Sequence, residues 1–542
     1  MNAVRSWIPR VGTRVFDMGQ NIAGWAKLQL SGSPGQTVVL RYGERLNNGG
    51  EVDQAHLGGF IKSGEAQTDR YTCSGAKAEV WEPRFTYHGF QYVQVEAPDQ
   101  MLAQLDIQAC VVQTDFEQVG MFECSNHMLN RLHQATLWSY RSNFVGIPTD
   151  CPHREKNGWT GDAHLAAEAG LLHFDASSAY AEWLESVVDA QRTNGQLPGI
   201  VPTAGWGFNW GSGPAWDSAL LLIPWYIYLY TGNQRCIERY YPAMSRYVGY
   251  CASLASEGIV KFGLGDWCHP DSKRAAPAAL TSTAYFYQNA LLLARFARMT
   301  GRGDEALLYE QLALRTRAAF QQAFYKGDGI YAEGQATAQA CALHHGLAEE
   351  SDRPQVARQL AHAVDAHGAK ADFGILGAKY VPRALAEAGY VELAFRLIVQ
   401  PEYPGWMHWL GQGATTLWEN WDGESSRNHV MFGDVAAWMV QYLGGIGADA
   451  STPGFTHFIF RPHFVSGLDW VKCSHRSPLG MIESHWQRID DQVHLELRVP
   501  GNSSATLLLP DQKAMTLEAG IHRLNVSTKG TLSSTSECQQ TV

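Results

Sequence analysis

The spacing of apolar residues divides the chain into three blocks. Up to about residue 115 the pattern is typical of strands: Ala26–Leu30 alternates between polar and apolar residues, and Thr37–Tyr42 is rich in β-branched and aliphatic side chains. Turn residues such as Pro34 and Gly35 separate these short segments, as in a β-sandwich. We therefore predict an N-terminal β-sandwich over residues 1–115.

Between residues 116 and 445, apolar residues recur at the three- and four-residue intervals of helices. A clear start is Ser125-Asn126, a pair suited to capping a helix that continues through Leu129 and Leu132. Strand patterns are scarce in this block. The segments in which the spacing predicts helices are Cys124–Val145, Asp162–Leu172, Ser177–Arg192, Ala215–Tyr230, Ser282–Met299, Asp304–Phe324, Gln355–His367, Val381–Leu397 and Gly433–Leu443.

This helical block is long enough for twelve helices with their loops, at about 27 residues each. That is the content of an (α/α)6 barrel, the toroid of helix pairs found in many inverting glycosidases. A helical bundle or a solenoid would show the same periodicity, although no repeat of fixed length is visible. We predict the barrel over residues 116–445.

The strand pattern returns after Gly445. Val493–Val499 alternates strictly, and Ala505–Leu509 forms an apolar run that ends at Pro510. This pattern predicts a smaller C-terminal β-sandwich over residues 446–542. The expected fold is therefore multidomain and mainly α, with a central (α/α)6 barrel flanked by an N-terminal β-sandwich and a smaller C-terminal β-sandwich.

Composition and charge exclude some classes of function. The chain has 542 residues, of which 18% are charged, and its net charge is −11. This balance is opposite to what phosphate binding requires, so we do not expect a nucleic-acid partner. No apolar run reaches the roughly 18 residues of a membrane span. Met1–Gly12 contains arginines but no apolar segment follows, so we expect no secretory signal.

The ten cysteines are scattered, and none has the spacing of a zinc site. Free thiols in a reducing compartment are the simplest interpretation, so we expect a cytoplasmic protein. No glycine-rich phosphate loop or dinucleotide-binding fingerprint follows a predicted strand. We therefore expect neither a metal nor an organic cofactor.

Tryptophan is the residue whose placement suggests a ligand. Thirteen of the 18 tryptophans lie in the helical block, many of them beside Gly, Pro, Asp or Glu rather than inside periodic apolar helices. The apolar face of a pyranose stacks on such rings, and nearby carboxylates can bind its hydroxyls. Any single tryptophan is explained as readily by the core, but their clustering favours a sugar-binding site.

The densest group of polar residues runs from Pro148 to Asp162. This stretch contains three carboxylates, Asp150, Glu155 and Asp162, and is too rich in Pro and Gly to form one helix. A loop that leads into a helix can present polar groups to a cleft. The alternative is a solvated turn in which Thr160 or Asp162 caps the helix.

A second group, Gly413–Glu424, again places acids beside aromatic residues, and Asn428-His429 follows it closely. Two further pairs, Trp216-Asp217 and Asp266-Trp267, lie between the two groups. Each pair taken alone is equally compatible with a helix cap or a surface acid.

These residues together resemble the inverting α-L-rhamnosidases of glycoside hydrolase family 78. The run Asp150–Asp162 (DCPHREKNGWTGD) looks like the acidic motif of that family, and Ala414–Glu419 (ATTLWE) looks like its second catalytic motif. The resemblance spans nearly the whole chain, and several motifs in the same order are highly specific. The other matching segments are Phe16–Asn21, Phe373–Tyr380, Tyr403–Trp406 and Asn428–Gly433.

The resemblance implies roles for individual residues. Glu155 is similar to the general acid of the family and Glu419 to the general base. The remaining residues match positions that line the −1 sugar site, and they are Asp150, Arg154, Trp159, Asp162, Trp216, Trp267 and His429.

The chain also departs from the family pattern. Many members carry one more residue, an acid, before the catalytic glutamate, whereas Glu155 is the only acid between Asp150 and Asp162 here. The extra N-terminal carbohydrate-binding modules of larger relatives look absent. We therefore expect small glycosides, rather than polysaccharides, as substrates.

The chemistry of the residues agrees with this resemblance. Glycoside hydrolysis needs a protonated carboxylic acid on the leaving oxygen and a second carboxylate; in inverting enzymes this second group activates water, about 6.5–9.5 Å away. Glu155 and Glu419 lie 264 positions apart, so only folding can bring them together. Asp150 and Asp162 would raise the pKa of Glu155, whereas Arg154 and Lys156 would lower it. The sequence leaves that balance open.

Two other readings fit part of the pattern. One is a different inverting glycosidase or phosphorylase on the same barrel. The other is a non-catalytic sugar-binding protein, which would retain the Trp and Asp residues but lose a catalytic acid. A homodimer is compatible with the sequence. The aglycone stays open, and the candidates for the lining of the +1 site are Tyr285, Tyr287, Trp206 and Trp210.

Overall fold

The computed structural model describes residues 1–57, 59, 64–203, 205–510, 512–527, 532–533 and 538–539. Its chain divides into two compact units. The first comprises Met1–Asp115, Gln134–Gly158 and Trp409–Val430, and the second comprises Phe116–His133, Trp159–His408 and Met431–Val542. The first unit therefore combines the N-terminal β domain with the loops that carry Glu155 and Glu419.

The N-terminal block forms a seven-stranded sheet in the order β1-β2-β6-β3-β4, with β5 and β7 also paired to β2. A register shift between Asp17 and Ile22 interrupts the pairing of β2 with β6, which resumes as far as Gly24, and from Gly24 onward β2 pairs with β7 and β5. Such a bulge lets one long strand serve both layers of a sandwich. The elements are β1 (Arg5–Arg10), β2 (Thr13–Leu30), β3 (Thr37–Gly43), β4 (Thr68–Thr72), β5 (Glu79–Trp81), β6 (His88–Glu96), α1 (Asp99–Leu102) and β7 (Asp106–Val111).

The core of this domain follows the alternation in the sequence. Ile22, Leu28, Leu40 and Phe90 are completely buried between the strands. Gly24 is required where β2 changes partner, because a Cβ atom there would lie 1.9 Å from the Cys110 carbonyl oxygen. The predicted N-terminal β-sandwich is confirmed.

Helices dominate the next part of the chain, with three short strands near its start. Strand β9 pairs with β10 in a small hairpin directly before the acidic loop. The elements are β8 (Gly120–Cys124), α2 (His127–Ser142), β9 (Phe144–Val145), β10 (Ile147–Pro148), α3 (Thr160–His173), α4 (Ser177–Asp189), α5 (Pro214–Asp217), α6 (Ala219–Thr231), α7 (Arg235–Leu254), α8 (Ala278–Met299), α9 (Gly303–Phe324), α10 (Ala336–His344), α11 (Arg353–Ala366), α12 (Ile375–Glu387), α13 (Val391–Ile398), α14 (Trp406–Gly411) and α15 (Asp434–Trp438).

Among the residues that the structure describes, six helices close into a ring within the second unit. Helix α3 contacts α6, which contacts α8, and the ring continues through α10, α12 and α15 back to α3. Helices α4, α7, α9, α11 and α13 contact these inner helices. The inner helices are buried almost all round, whereas the others bury one face. This arrangement confirms the predicted (α/α)6 barrel.

A buried group of four charges connects the last helices of the ring to the first. Lys379 of α12 lies 2.8 Å from Glu168 of α3 and 3.1 Å from Asp434 of α15. Arg383, one turn further along α12, forms a paired hydrogen bond to Asp434 and lies 3.2 Å from Glu168. Two cations thus face two carboxylates at the point where the ring closes.

Several helix predictions were wrong in detail. The segment Ala215–Tyr230 is interrupted at Ser218, and Val381–Leu397 is two helices because α12 ends at Glu387 before Gly389, whose φ is +87°. The segment Gly433–Leu443 begins as α15 and continues as a π-helix over Met439–Leu443. Helices α7 and α10 were missed. The Asn126 cap is confirmed, because its side-chain oxygen accepts the Leu129 N–H at 3.1 Å.

The C-terminal part of the chain forms two sheets. One has the order β8-β13-β14-β15-β18-β19 with β20 also on β18, and the other has the order β11-β12-β16-β17. The strands are β11 (Ile446–Ala448), β12 (His457–Phe460), β13 (Trp470–Ser477), β14 (Gly480–Ile489), β15 (Gln492–Val499), β16 (Ser504–Leu507), β17 (Met515–Leu517), β18 (Gly520–Ser527), β19 (Leu532–Ser533) and β20 (Cys538–Gln539).

The sequence pattern did not show that β8, which precedes the helices, is part of this C-terminal sheet. It pairs with β13 from Gly120 to Cys124 and buries Phe122 and Cys124. Five residues give too short a pattern to stand out before a long helix. None of the described helices has the length and apolar composition needed to cross a bilayer.

Candidate active site

The acidic loop is folded tightly on itself. The Asp150 carboxylate accepts the Asn157 N–H at 2.7 Å, and the Asp150 N–H donates to the Asn157 carbonyl at 3.0 Å. Asp150 is buried. Asn157 also donates to Glu155 Oε2 at 3.4 Å. The loop therefore fixes the direction of Glu155, whose side chain is about one-tenth exposed.

Lys156 does not share this site, although the sequence placed it next to Glu155. Its Nζ donates to the Tyr87 carbonyl and lies 4.3 Å from the centre of the Tyr87 ring. Burial lowers the pKa of Lys156 to about 8. Arg154 is therefore the cation that contacts Glu155.

The loop that carries Glu419 is held by its own backbone. The Glu419 N–H donates to the Ser426 carbonyl at 2.9 Å, and the Ser426 N–H donates to Glu419 Oε2 at 3.1 Å. The His429 N–H donates to the Leu417 carbonyl at 2.9 Å. These bonds close residues 417–429 into a narrow loop with Glu419 at its inner side.

Arg154 connects the two proposed catalytic carboxylates. Its Nη2 donates to both oxygens of Glu419 and lies 3.5 Å from Glu155 Oε1. Since both carboxylates contact one nitrogen atom, their nearest oxygens are no more than about 6 Å apart, which is short of the roughly 6.5–9.5 Å of an inverting pair. Folding therefore brings together the two glutamates that the sequence singled out.

The environment of Arg154 keeps it charged. Burial works against the positive charge, but the neighbouring carboxylates, Glu419 foremost, outweigh it, so the pKa of Arg154 is raised above its usual value. His429 completes this side, with Nδ1 lying 3.8 Å from Glu419 Oε2. The arrangement provides two carboxylates, one cation and one imidazole at a buried position.

Asp150, Cys151 and His429 could together hold a metal ion. Their possible ligand atoms all lie within 4.8 Å of one another, and all three residues are buried. Two of the three are residues that the sequence assigns to the sugar. The expectation that no metal is required stays a prediction.

In the second unit, Trp159 and Asp162 lie at the start of α3. Trp159 directly precedes the helix, and its ring lies against the backbone of Gly211, where a Cβ atom would be 2.3 Å from the ring. Trp206 faces it with ring centres 6.4 Å apart. Asp162 is a buried residue in the first turn of α3.

Trp216 and Trp267 differ in exposure. Trp216 is buried and lies against Gly161, where a Cβ atom would be 2.5 Å from the indole nitrogen. It therefore packs under the start of α3. Trp267 is 41% exposed and meets the equally exposed Trp210 edge-on, with ring centres 6.0 Å apart. Only Trp267 of the two presents a ring to solvent.

The acids beside these tryptophans have structural roles. Asp217 accepts hydrogen bonds from Ser212, Gly213 and Tyr247, and burial raises its pKa to about 8. Asp266 accepts the N–H groups of Gly374, Leu376 and Gly377 at the start of α12. Asp266 thus caps α12 from a distant part of the chain, which explains the Phe373–Tyr380 motif.

Two groups of aromatic residues named from the sequence are buried. Trp409, Trp418 and Trp421 are buried, and the rings of Trp409 and Trp421 are stacked 4.7 Å apart. They support the Glu419 loop and offer no face to a sugar. Tyr285 and Tyr287, proposed for the +1 site, are buried in α8, and Tyr285 hydrogen-bonds to Tyr380.

The sequence also missed residues of the N-terminal β domain that touch both loops. Asn21, Glu44 and Arg45 contact residues 424–428, and Glu44 also lies 3.3 Å from His153. Asn21 belongs to one of the family-like segments, but nothing in the local pattern distinguished Glu44. Its significance depends on contacts hundreds of positions away.

Comparison with known families gives the same three-part organisation. The bacterial alpha-L-rhamnosidase 6 hairpin glycosidase domain matches residues 117–443. The concanavalin-like domain of bacterial alpha-L-rhamnosidases matches residues 9–113, and their C-terminal domain matches residues 445–521.

Individual relatives are similar over nearly the whole chain. An α-L-rhamnosidase of Formosa agariphila is 33% identical over 92% of this chain, and one of Streptomyces avermitilis is 31% identical over 93%. The alignments cover 55% and 49% of those proteins, so the chain spans about half of their length.

Solved structures agree. The α-L-rhamnosidase of Dictyoglumus thermophilum, 30% identical, superposes with a TM-score of 0.90 over 97% of this chain and 63% of its own. The Streptomyces avermitilis enzyme in complex with L-rhamnose, 29% identical, gives 0.91 over 97% of this chain and 53% of its own. The resemblance read from the motifs is thereby confirmed, and the chain belongs to the bacterial α-L-rhamnosidase family.

Proposed function

We propose that this chain hydrolyses terminal α-L-rhamnosides with inversion at the anomeric carbon, Glu155 acting as general acid and Glu419 as general base. One observation supports this assignment above the others. Two glutamates 264 positions apart contact the same guanidinium nitrogen in an otherwise buried position. Family membership supports rhamnose as the sugar.

In the proposed reaction, the Glu155 carboxylic acid gives its proton to the glycosidic oxygen as the bond from that oxygen to the anomeric carbon breaks. The Glu419 carboxylate takes a proton from a water molecule whose oxygen attacks the same carbon from the opposite face. The aglycone leaves as an alcohol, and the sugar leaves as β-L-rhamnose. Arg154 and the Ser426 N–H both donate hydrogen bonds to the Glu419 carboxylate.

Arg154 lies between the two carboxylates, where the sugar and the attacking water molecule must bind in the proposed reaction. It contacts both carboxylates, so a sugar and a water molecule can enter between them only if the guanidinium releases Glu155. We propose that substrate binding moves the Arg154 guanidinium away from Glu155 while it keeps a hydrogen bond to Glu419. The cation then stabilises the base before the reaction and the sugar hydroxyls during it.

The remaining residues bind the sugar in this proposal. Asp150 and His429 offer hydrogen-bonding groups on the loops of the first unit. The family resemblance adds Asp162, Trp159 and Trp267 as expected contacts of the sugar. Trp216 acts indirectly, since its indole supports the backbone at Gly161.

Two further points extend the proposal. We infer a reducing, cytoplasmic location, because the nine cysteines whose side chains the structure describes are all free thiols. We infer small rhamnosides as substrates, with Trp206 and Trp210 available beside Trp159 and Trp267 for an aglycone. Whether the protein forms a homodimer is a question for sedimentation velocity.

The experiment that tests the proposal compares aryl glycosides. The purified protein should release the aryl group from an α-L-rhamnoside at least 100-fold faster than from the matching β-D-glucoside, α-D-mannoside and α-L-arabinoside. The rate should not change when phosphate is removed. A rate that requires phosphate would instead indicate a phosphorylase, and L-rhamnose binding without hydrolysis would indicate a sugar-binding protein.

A further inference from the structure

We propose that Glu44 of the N-terminal β domain is a positioning residue that holds the Glu155 loop and the Glu419 loop in register. The catalytic part of this inference rests on the proposed function. Glu44 directly follows β3, and its side chain is completely inaccessible to solvent. All of its contacts lie within the first unit.

Glu44 accepts a hydrogen bond from the loop that carries Glu419. Its Oε2 accepts the Arg427 N–H at 2.7 Å, and its Oε1 accepts the Asn21 side-chain amide at 3.2 Å. The same Asn21 amide donates to the Arg427 carbonyl at 3.2 Å. Both polar groups of the Arg427 backbone are therefore held by the β domain.

Asn21 and Arg45, which lie beside Glu44, bind the loop on both sides of Glu419. The Asn21 N–H donates to Thr415 Oγ1 at 2.9 Å, on the N-terminal side of Glu419. Arg45 donates to the carbonyls of Glu424 and Ser425, on the C-terminal side. The loop is thus fixed before and after its catalytic residue.

The same carboxylate also faces the other loop. Glu44 Oε2 lies 3.3 Å from His153 Nε2, and His153 stands two residues before Glu155. Strand β6 packs closely against His153, since a Cβ atom at Gly89 would be 2.9 Å from the His153 backbone nitrogen. One oxygen atom of the β domain therefore touches both catalytic loops.

The location is costly for a carboxylate, which argues against an incidental role. Burial raises the pKa of Glu44 to about 7, although the Arg427 N–H, Asn21 and the charges of Arg45 and Arg427 oppose this rise. Burial also lowers the pKa of His153, which faces Glu44, well below its usual value. It lowers the pKa of His56, which lies next to His153, to about 4. Burial therefore favours the neutral form of both imidazoles, whereas the positive charges of Arg45 and Arg427 lower the pKa of Glu44.

The consequence is catalytic. Inversion depends on the distance between Glu155 and Glu419, and misplacement by about 1 Å can cost about 100-fold in rate. Glu44→Gln replaces one acceptor oxygen by an N–H2 group, so either Arg427 or Asn21 meets a second donor. We expect kcat on an aryl α-L-rhamnoside to fall about 10- to 100-fold with KM changed less than threefold.

The matched control is Glu79→Gln. Glu79 is a buried carboxylate of the same β domain, and it accepts hydrogen bonds from Tyr71, Ser74 and Gly75 but touches neither catalytic loop. Its variant should keep kcat within twofold of the wild type even if its melting temperature falls. A Glu44→Gln enzyme with kcat within twofold of the wild type would overturn the inference.

A second readout does not depend on the substrate. Hydrogen–deuterium exchange should quicken in peptides covering residues 150–157 and 417–428 in Glu44→Gln and stay unchanged there in Glu79→Gln. Unchanged exchange would refute the positioning role even if no rhamnoside is cleaved. Quickened exchange together with an inactive wild type would refute the proposed function and leave the positioning role standing.

If Glu44→Gln fails to fold, Arg45→Met tests the same attachment of the Glu419 loop to the β domain at the next residue. It removes the guanidinium that binds the Glu424 and Ser425 carbonyls and leaves an apolar stem of similar length. We expect a smaller fall in kcat and quicker exchange confined to residues 417–428. Wild-type values of both measurements would count against the inference.

Discussion

The different tasks proposed for Glu155 and Glu419 can be separated by changing the leaving group. A general acid matters when the departing alkoxide is a poor leaving group and matters little when it is already stable, whereas a general base is needed in both cases. We therefore expect Glu155→Gln and Glu419→Gln to respond differently to two substrates, an alkyl α-L-rhamnoside and 2,4-dinitrophenyl α-L-rhamnoside.

The magnitude follows from the position of each group. Both carboxylates contact Arg154 Nη2 and are about one-tenth exposed, so bulk water has little access to take over either task. General acid or base catalysis contributes about 10²- to 10⁴-fold, or about 2.7–5.4 kcal/mol of activation free energy. Glu419→Gln should lose that factor on both substrates. Glu155→Gln should lose it on the alkyl rhamnoside but less than about tenfold on the dinitrophenyl rhamnoside.

The assay measures kcat/KM by rhamnose release for the alkyl substrate and by absorbance for the dinitrophenyl substrate. Glu424→Gln is the control, because Glu424 lies in the same loop as Glu419 but its side chain is 80% exposed. It should behave as the wild type within twofold. Equal losses for both substrates in Glu155→Gln, or near-native rates in Glu419→Gln, would refute the assignment of acid and base.

Three further predictions concern the buried groups. Lys379→Met should lower the free energy of unfolding by about 3–5 kcal/mol in urea denaturation, because it leaves Glu168 and Asp434 short of a cation, and an unchanged midpoint would contradict this. For Asp217, whose folded-state pKa of about 8 exceeds its unfolded value, wild-type stability should fall relative to Asp217→Asn as pH rises from 5 to 8; a difference that does not vary with pH would exclude that shift. Extensive treatment with EDTA should leave kcat unchanged, and a loss restored by one cation would contradict the expectation that no metal is required and make Asp150, Cys151 and His429 the ligands to test by substitution.

Glu155 and Glu419 stand out in the sequence for a physical reason. Both lie in loops that are rich in Gly, Pro and acidic residues. Gly and Pro are unfavourable inside a helix, so these two acidic segments differ clearly from the helical pattern around them. Their proximity, however, comes from folding and became visible only through the shared contact with Arg154.

Burial was the property that the sequence predicted least well. Trp216 and Trp421 each adjoin an aspartate in the sequence, as Trp267 does, yet of these three rings only that of Trp267 is exposed. A polar neighbour in sequence often points the other way or is itself buried, as Asp217 is. Local composition therefore cannot separate a ring that binds sugar from one that supports a loop.

The missed helices illustrate a related limit. Helix α10 is short, rich in alanine and buried on all sides, so it lacks the one-sided apolar stripe by which a surface helix is recognised. The role inferred for Glu44 was equally hidden, since its contacts join residues far apart in the chain. A pattern within a short stretch of sequence reports only on local structure. The ring of helices and the contacts of Glu44 with the two loops depend on residues far apart in the chain.

The most direct test of the account is proton NMR of an aryl α-L-rhamnoside during the first minutes of cleavage by the purified protein. An inverting reaction releases β-L-rhamnose first, and the α-anomer follows only by mutarotation. If α-L-rhamnose appears first, the enzyme retains configuration, Glu419 must act as a nucleophile, and the proposed roles of the two glutamates are wrong.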